Sequence, residues 1–153
     1  MTVRAFAALV VSGLLVASQG DTGPRARHVL ALVSGGRVAW SSPVRTGEAF
    51  TLSFEHSAER CRWTQHYRVA SGGRIEQVSS TFPCIGAGMP WSSSDGSPAV
   101  RTPDGYTLAA FRLFDDIHMR NSLRAGLVLS VGDRRVDVSR LFDDFQPFTL
   151  ELR

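Results

Sequence analysis

The chain has 153 residues, of which 43% are hydrophobic and 20% charged, and its formal net charge is +3. This length is sufficient for one domain with its own core. All 17 basic residues are arginines scattered along the chain, and so small a positive surplus gives no ground for a nucleic-acid-binding protein.

The first 20 residues have the pattern of a secretory signal peptide. Met1–Arg4 is a short positive start, Ala5–Ala17 is almost entirely apolar, and Ser18–Gly20 offers small residues for cleavage. We predict cleavage after Gly20, with a retained anchor as the alternative, although spanning a bilayer usually takes about 20 apolar residues. Residues 21–153 are then expected to form a single exported domain in the periplasm or otherwise outside the cytoplasm.

After this segment, short apolar runs alternate with turn residues. Polar and apolar residues repeat with a period of two, as in Ala49–Glu55, which is typical of strands with one buried face. The glycine pairs Gly35-Gly36 and Gly72-Gly73 are typical of hairpin turns. We predict strands at His28–Val33, Arg37–Ser41, Ala49–Glu55, Arg60–Val69, Ile75–Phe82, Tyr106–Phe114, Ser122–Val131, Val136–Phe142 and Gln146–Leu152. The expected fold is all-β, an antiparallel β-sandwich or a small β-barrel of about nine strands.

Three stretches depart from this regular pattern. Residues 83–103, rich in Gly, Ser and Pro, form a long irregular segment of the kind that is often functional. Residues 117–123 and 138–145 each permit one or two helical turns. The strand Ile75–Phe82 is unusually polar, which indicates a sheet edge or a face lining a cavity.

The chain contains two cysteines, Cys61 and Cys84. In an oxidising compartment an even cysteine count favours a disulfide, worth on the order of 3 kcal/mol for a loop of this length. A zinc site formed by both thiolates with His56 or His66 is an alternative, and free thiols are another. The disulfide is the prediction, and we predict no metal site.

Polar features occur at the ends of three neighbouring strands. His56-Ser57 follows the Phe-rich strand Ala49–Glu55, and the loop Gly86–Pro90 follows Ile75–Phe82. If these strands pair as neighbours, both features lie at one end of a sheet. Glycines in such a loop let the backbone approach a ligand, or turn consecutive N–H groups toward an anion. The alternatives are a hydrogen-bonded structural histidine and a tight crossover loop.

Patterns typical of catalysis and of cofactor binding are absent from the sequence. His56 and Ser57 are adjacent on an extended chain, so their side chains point to opposite faces and do not form a nucleophile and its base. No Gly-x-Ser-x-Gly elbow and no Gly-x-x-x-x-Gly-Lys loop is present. We therefore predict that the protein is not an enzyme and binds no cofactor.

Taken together, several short motifs resemble one known family. These motifs are His56-Ser57 after a Phe-rich strand, a strand ending in Tyr67-Arg68-Val69, Thr81-Phe82, and Gly86–Pro90. Over about residues 28 to 153 the chain resembles the domain-of-unknown-function 1850 (DUF1850) family. The family pattern places an acidic residue on the strand after His-Ser, and by spacing that position is Gln65 here, so this chain has an amide where the pattern has a carboxylate. The two cysteines are not part of the pattern.

The resemblance implies a function and a place in the cell. Such proteins are small and exported, and their genes often lie beside permeases of TAXI-type TRAP (tripartite ATP-independent periplasmic) transporters. The first hypothesis is therefore a periplasmic accessory that docks on the permease or on its solute-binding protein. The second is a binder of a small organic anion, and the third and least favoured is an enzyme that uses His56. The expected ligand-binding residues are His56, Ser57, Gln65, Gly86, Ala87, Gly88, Met89 and Pro90.

Overall fold

The computed structural model describes residues 27–84, 86, 92–93 and 96–153. The predicted signal peptide at residues 1–20 and the predicted site residues Ala87, Gly88, Met89 and Pro90 lie outside these described residues. The described strands are β1 (Arg27–Ser34), β2 (Arg37–Arg45), β3 (Ala49–Glu55), β4 (Arg62–Ala70), β5 (Arg74–Phe82), β6 (Val100–Thr102), β7 (Gly105–Phe114), β8 (Asp116–Arg120), β9 (Val128–Val131), β10 (Arg134–Asp137) and β11 (Pro147–Leu152). One turn of 3₁₀ helix, Val138–Arg140, follows β10.

The strands form two antiparallel sheets. The smaller sheet has the order β2-β1-β11-β8, and the larger has the order β10-β9-β3-β4-β5-β7-β6. The chain passes from the larger to the smaller sheet at Asp115, between β7 and β8. The predicted all-β sandwich is confirmed, and the two sheets do not close into a barrel.

Several strand boundaries differ from the prediction. A strand, β8, occupies part of the stretch where a helical turn was allowed, because it pairs with β11 at the edge of the smaller sheet. Only Val128–Val131 of the predicted strand Ser122–Val131 is extended, and residues 123–126 form a turn. The short β6 lies inside the segment predicted to be irregular. Strand β2 continues past the predicted end at Ser41 and includes Pro43. This is possible because β2 is an edge strand, on which the missing N–H of a proline is tolerated.

The core lies between the two sheets. Leu30, Leu32 and Leu150 of the smaller sheet are fully buried, as are Leu52 and Leu129 of the larger. A second, smaller cluster is centred on Phe82 and Leu108, with Trp63, Ala99 and Tyr106 packed against it. Burying such side chains stabilises the fold by about 1.5–3 kcal/mol each.

Strand β5 is not a sheet edge, since it lies between β4 and β7. Instead, the alternation of buried and less buried positions breaks in the middle of the strand. The pairing register shifts between Gln77 and Ser79, so the buried positions change from Ile75 and Gln77 to Ser80 and Phe82. A β-bulge of this kind bends the strand and changes which side chains face inward. The alternation expected through Val78 therefore fails.

Candidate functional site

A tight turn between β3 and β4 builds the candidate site. The N–H of Arg60 donates to the carbonyl oxygen of His56 at 2.8 Å, and the N–H of His56 donates to the carbonyl oxygen of Cys61 at 2.9 Å. Arg60 closes the turn with a φ of 51°. A left-handed conformation is uncommon for a residue with a side chain and costs on the order of 1–2 kcal/mol. The turn therefore holds Arg60 in a backbone conformation that is unfavourable by itself.

The inner face of the larger sheet carries a row of rings at this end, which we call the aromatic row: Phe54, His56, Trp63, Phe82 and Tyr106. The ring centroids of His56 and Trp63 are 5.4 Å apart, and those of Trp63 and Phe82 are 5.5 Å apart. His56 Nδ1 and Trp63 Nε1 are both buried without a hydrogen-bond partner. The side chain of His56 thus points inward, but it has no hydrogen-bond partner in the described part of the chain.

A disulfide joins the residue just before β4 to the segment that follows β5. Cys61 and Cys84 are bonded, with their Cα atoms 6.3 Å apart, which confirms the predicted disulfide. A side chain at Gly86 would collide with the carboxylate of Glu59. Gly86 is therefore a position of close approach between the segment after β5 and the turn before β4.

Gln65 lies on the same inner face, farther along β4. Its Oε1 accepts a hydrogen bond from the Tyr67 hydroxyl at 2.9 Å, and across the sheet Gln77 Nε2 donates to Ser80 Oγ at 3.2 Å. Burial raises the pKa of Tyr67 to about 12, an effect that the positive charge of Arg112 partly opposes. Gln65 is therefore a neutral acceptor for a buried tyrosine hydroxyl.

On the outer side of the turn lies a cleft of about 380 Å³. We call it the arginine cleft, and it is lined by Glu55, Ser57, Arg60, Ser122, Arg124 and Ala125. Ser57 therefore faces a different compartment from the ring of His56, as the strand geometry predicts. Two arginines and one glutamate give the cleft an excess of positive charge. Its volume lies in the range of small-molecule sites.

Hydrogen bonds fix the two walls of the arginine cleft. The N–H of Glu55 donates to the carbonyl oxygen of Ala125 at 2.8 Å, which joins the end of β3 to the turn at residues 123–126. Arg62 Nη2 donates to the carbonyl oxygens of Ser53 at 3.1 Å and Gly126 at 3.2 Å. The buried Asn121 donates from Nδ2 to the carbonyl oxygen of Phe142 at 2.6 Å. The walls are thus tied to both sheets.

The predicted site is divided by the structure. His56 and Gly86 lie on the inner side, Ser57 lies in the arginine cleft, and Gln65 takes part in the tyrosine hydrogen bond. The predicted site residues did not include Arg60 and Arg124. The arginines are scattered along the chain, and no local pattern indicates which two of the seventeen line the same cleft. The predicted site also did not include Trp63, although Trp63 precedes Gln65 by two residues on a strand and therefore lies on the same face.

Another histidine, His66, lies on the outer face of the larger sheet. Its Nε2 is 3.0 Å from Thr81 Oγ1, and burial lowers its pKa. The residue is half-buried there. Within the described residues, no group of three or more His, Cys, Asp or Glu side chains is placed to hold a metal ion.

The fold and this end of the larger sheet define a disulfide-bonded β-sandwich with a polar cleft on one side of a turn and an aromatic row on the other. The chain belongs to the family described as Domain of unknown function (DUF1850), whose sequence profile matches residues 50–138. This range includes the β3–β4 turn, the disulfide and both walls of the arginine cleft. We found no match among curated proteins or among solved structures. None of the described residues belongs to a helix of the length and apolarity needed to cross a membrane.

Proposed function

We propose that this protein is an exported, non-enzymatic accessory of a TAXI-type TRAP transporter and docks on the permease or on its solute-binding protein. Membership of the DUF1850 family supports the proposal, because the family resemblance implies that transporter context. The placement of His56 against Trp63 and of Ser57 in the arginine cleft argues against their use as a nucleophile and base.

The docking proposal rests on the edge of the larger sheet at β7. Strand β6 pairs only with Gly105–Thr107, so among the described strands the remainder of β7 has no neighbour on that side. Phe111 is 67% exposed and Leu113 is 48% exposed along this edge. An exposed edge with apolar side chains is a template for pairing with a strand of another protein.

The test is affinity purification of the tagged protein from gently solubilised membranes of its own organism, followed by mass spectrometry. Enrichment of a TRAP permease or its solute-binding protein is expected. Phe111→Ser should reduce that enrichment severalfold, whereas Phe145→Ser serves as the matched control, since Phe145 is 70% exposed but lies outside β7. Recovery of the protein without either partner would contradict stable docking.

The second candidate function is binding of a small organic anion, which the arginine cleft favours. This function does not depend on docking, since a ligand could bind the free protein. Titration of the purified protein with organic acids tests it directly.

A further inference from the structure

We infer that the arginine cleft binds a small monocarboxylic acid that carries a hydroxyl or amino group next to its carboxylate, with Arg60 and Arg124 as the groups that hold the carboxylate. The inference deepens the small-anion function and rests on it. It is independent of transporter docking and of the β7 edge.

The first argument is the state of the two arginines. Arg68, Arg140 and Arg153 form ion pairs with carboxylates, and Arg62 donates to backbone carbonyls. In the described part of the chain, Arg60 and Arg124 have no such partner for their side chains, and both are exposed. A guanidinium presents a planar fork of donors that matches a carboxylate. The two charges therefore remain available to a ligand.

The second argument is a comparison with another basic cleft. A cleft of about 390 Å³ at a different position is lined by Arg27, Arg45 and Arg134 together with Glu48. There Arg134 donates to the carbonyl oxygen of Pro43, and Glu48 accepts the N–H of Arg45. That cleft has no serine in its lining, whereas the arginine cleft has Ser57 and Ser122. Of these two clefts, the arginine cleft is the one that combines hydroxyl donors with two guanidinium groups unpaired in the described part of the chain.

The third argument is preorganisation. Arg60 is held with a φ of 51° by the turn, and Arg62 and Asn121 fix the surrounding backbone. A conformation that is locally unfavourable and yet held by its surroundings is typical of functional sites. Little ordering of the backbone is then required when a ligand binds.

The fourth argument, which defines the ligand class, is Glu55. The cleft lining has two positive charges and one negative charge. A single carboxylate between the arginines satisfies the positive pair, and a neighbouring hydroxyl or ammonium can donate to Glu55. The net charge of +1 is balanced by one carboxylate, whereas a doubly charged phosphate would leave a negative charge next to Glu55 that the lining does not neutralise. The lining therefore favours 2-hydroxy and 2-amino monocarboxylates over phosphate.

The experiment is an NMR titration of the full chain, expressed for export and purified with its disulfide intact. The probes are lactate, alanine, propionate and inorganic phosphate. Lactate and alanine are expected to bind several times more tightly than propionate, which lacks the second group, and phosphate is expected to bind most weakly. Glu55→Gln should remove the preference for alanine over propionate.

Variants locate the site. Arg60→Gly is compatible with the left-handed backbone of the turn, and Arg124→Ala removes the second guanidinium. Each is expected to weaken lactate binding roughly tenfold or more, the size expected for loss of a charge-assisted hydrogen bond. Arg45→Ala in the other cleft is the matched control and should bind lactate as the unmodified protein does.

The outcomes are distinguishable. Lactate binding that survives both Arg60→Gly and Arg124→Ala would overturn this site while leaving the small-anion function in place. Phosphate binding tighter than lactate binding would overturn the ligand class. No response to any of the four probes at tens of millimolar would overturn the inference and count against the small-anion function, but it would leave the docking result untouched.

Discussion

The imidazole of His56 lies against the indole of Trp63, with ring centroids 5.4 Å apart, and each ring buries a nitrogen that has no hydrogen-bond partner among the residues the structure describes. A buried polar atom without a partner costs about 1–3 kcal/mol. The aromatic row would accept a ring of similar size at position 56 without that cost. The unpaired nitrogen of His56 therefore lowers the stability of the aromatic row.

Replacing His56 with phenylalanine is expected to raise the free energy of unfolding by about 1 kcal/mol, because it removes the unpaired nitrogen and keeps a ring against Trp63. Urea denaturation with the disulfide intact measures this. His66→Phe is the matched control, since His66 is also half-buried but has Thr81 as a hydrogen-bond partner, and it should not be stabilising. Equal destabilisation by the two changes would contradict the prediction.

Gly86→Ala is expected to change the free energy of unfolding by no more than about 0.5 kcal/mol. The new methyl group meets only the carboxylate end of Glu59, a flexible side chain that can turn aside. Urea denaturation with the disulfide intact measures the change, and Gly86→Ala combined with Glu59→Ala should give the same result. A loss above about 1 kcal/mol in Gly86→Ala that Glu59→Ala does not relieve would show that the methyl group meets backbone instead.

Removal of the disulfide by the double substitution Cys61→Ser and Cys84→Ser is expected to cost about 3 kcal/mol, because the cysteines are 23 positions apart and the bond restricts that loop in the unfolded chain. Thermal unfolding in the absence of reductant measures the loss. Reduction of the unmodified protein should produce the same shift. A change below about 1 kcal/mol would contradict the chain-entropy account.

The burial of Tyr67 predicts a loss of stability at high pH. Burial raises the pKa of its hydroxyl to about 12 in the folded protein, against about 10 in the unfolded chain. The unfolded chain therefore releases this proton first, so the contribution is fully present below pH 10 and is lost as pH rises toward 12, by up to about 2–3 kcal/mol.

Urea denaturation at pH 9 and pH 11 measures this loss, with Tyr67→Phe as the comparison. The variant lacks the ionising group and should lose less stability between the two pH values, although it also lacks the bond to Gln65. An identical pH dependence in both proteins would assign the loss to other groups.

Much of the architecture could be predicted from local patterns. The alternation in Ala49–Glu55 is confirmed as β3 with the same boundaries, and Ile75–Phe82 becomes β5 with one added residue. The glycine pairs mark two hairpin turns, where Gly35, Gly36, Gly72 and Gly73 all have positive φ. Turn chemistry and periodicity act over a few residues, so a sequence displays them directly.

The candidate site could be predicted only in part, because its two walls come from distant parts of the chain. The sequence pointed to His56, Ser57 and Gly86 through the order of neighbouring strands. Nothing local indicated that β3 pairs with β9 and so brings the turn containing Arg124 beside Arg60. The shift of register in β5 likewise depends on how β4 and β7 align with it.

By itself, the sequence determined the all-β character, the cysteine pair and the different sides on which His56 and Ser57 lie, since these follow from the even cysteine count and from the period of an extended chain. Only the tertiary structure decided the rest: the strand order, the bulge in β5 and the convergence of Arg60 and Arg124 on one cleft. These depend on pairings between strands far apart in the chain, and the alternation within a strand does not specify its partner.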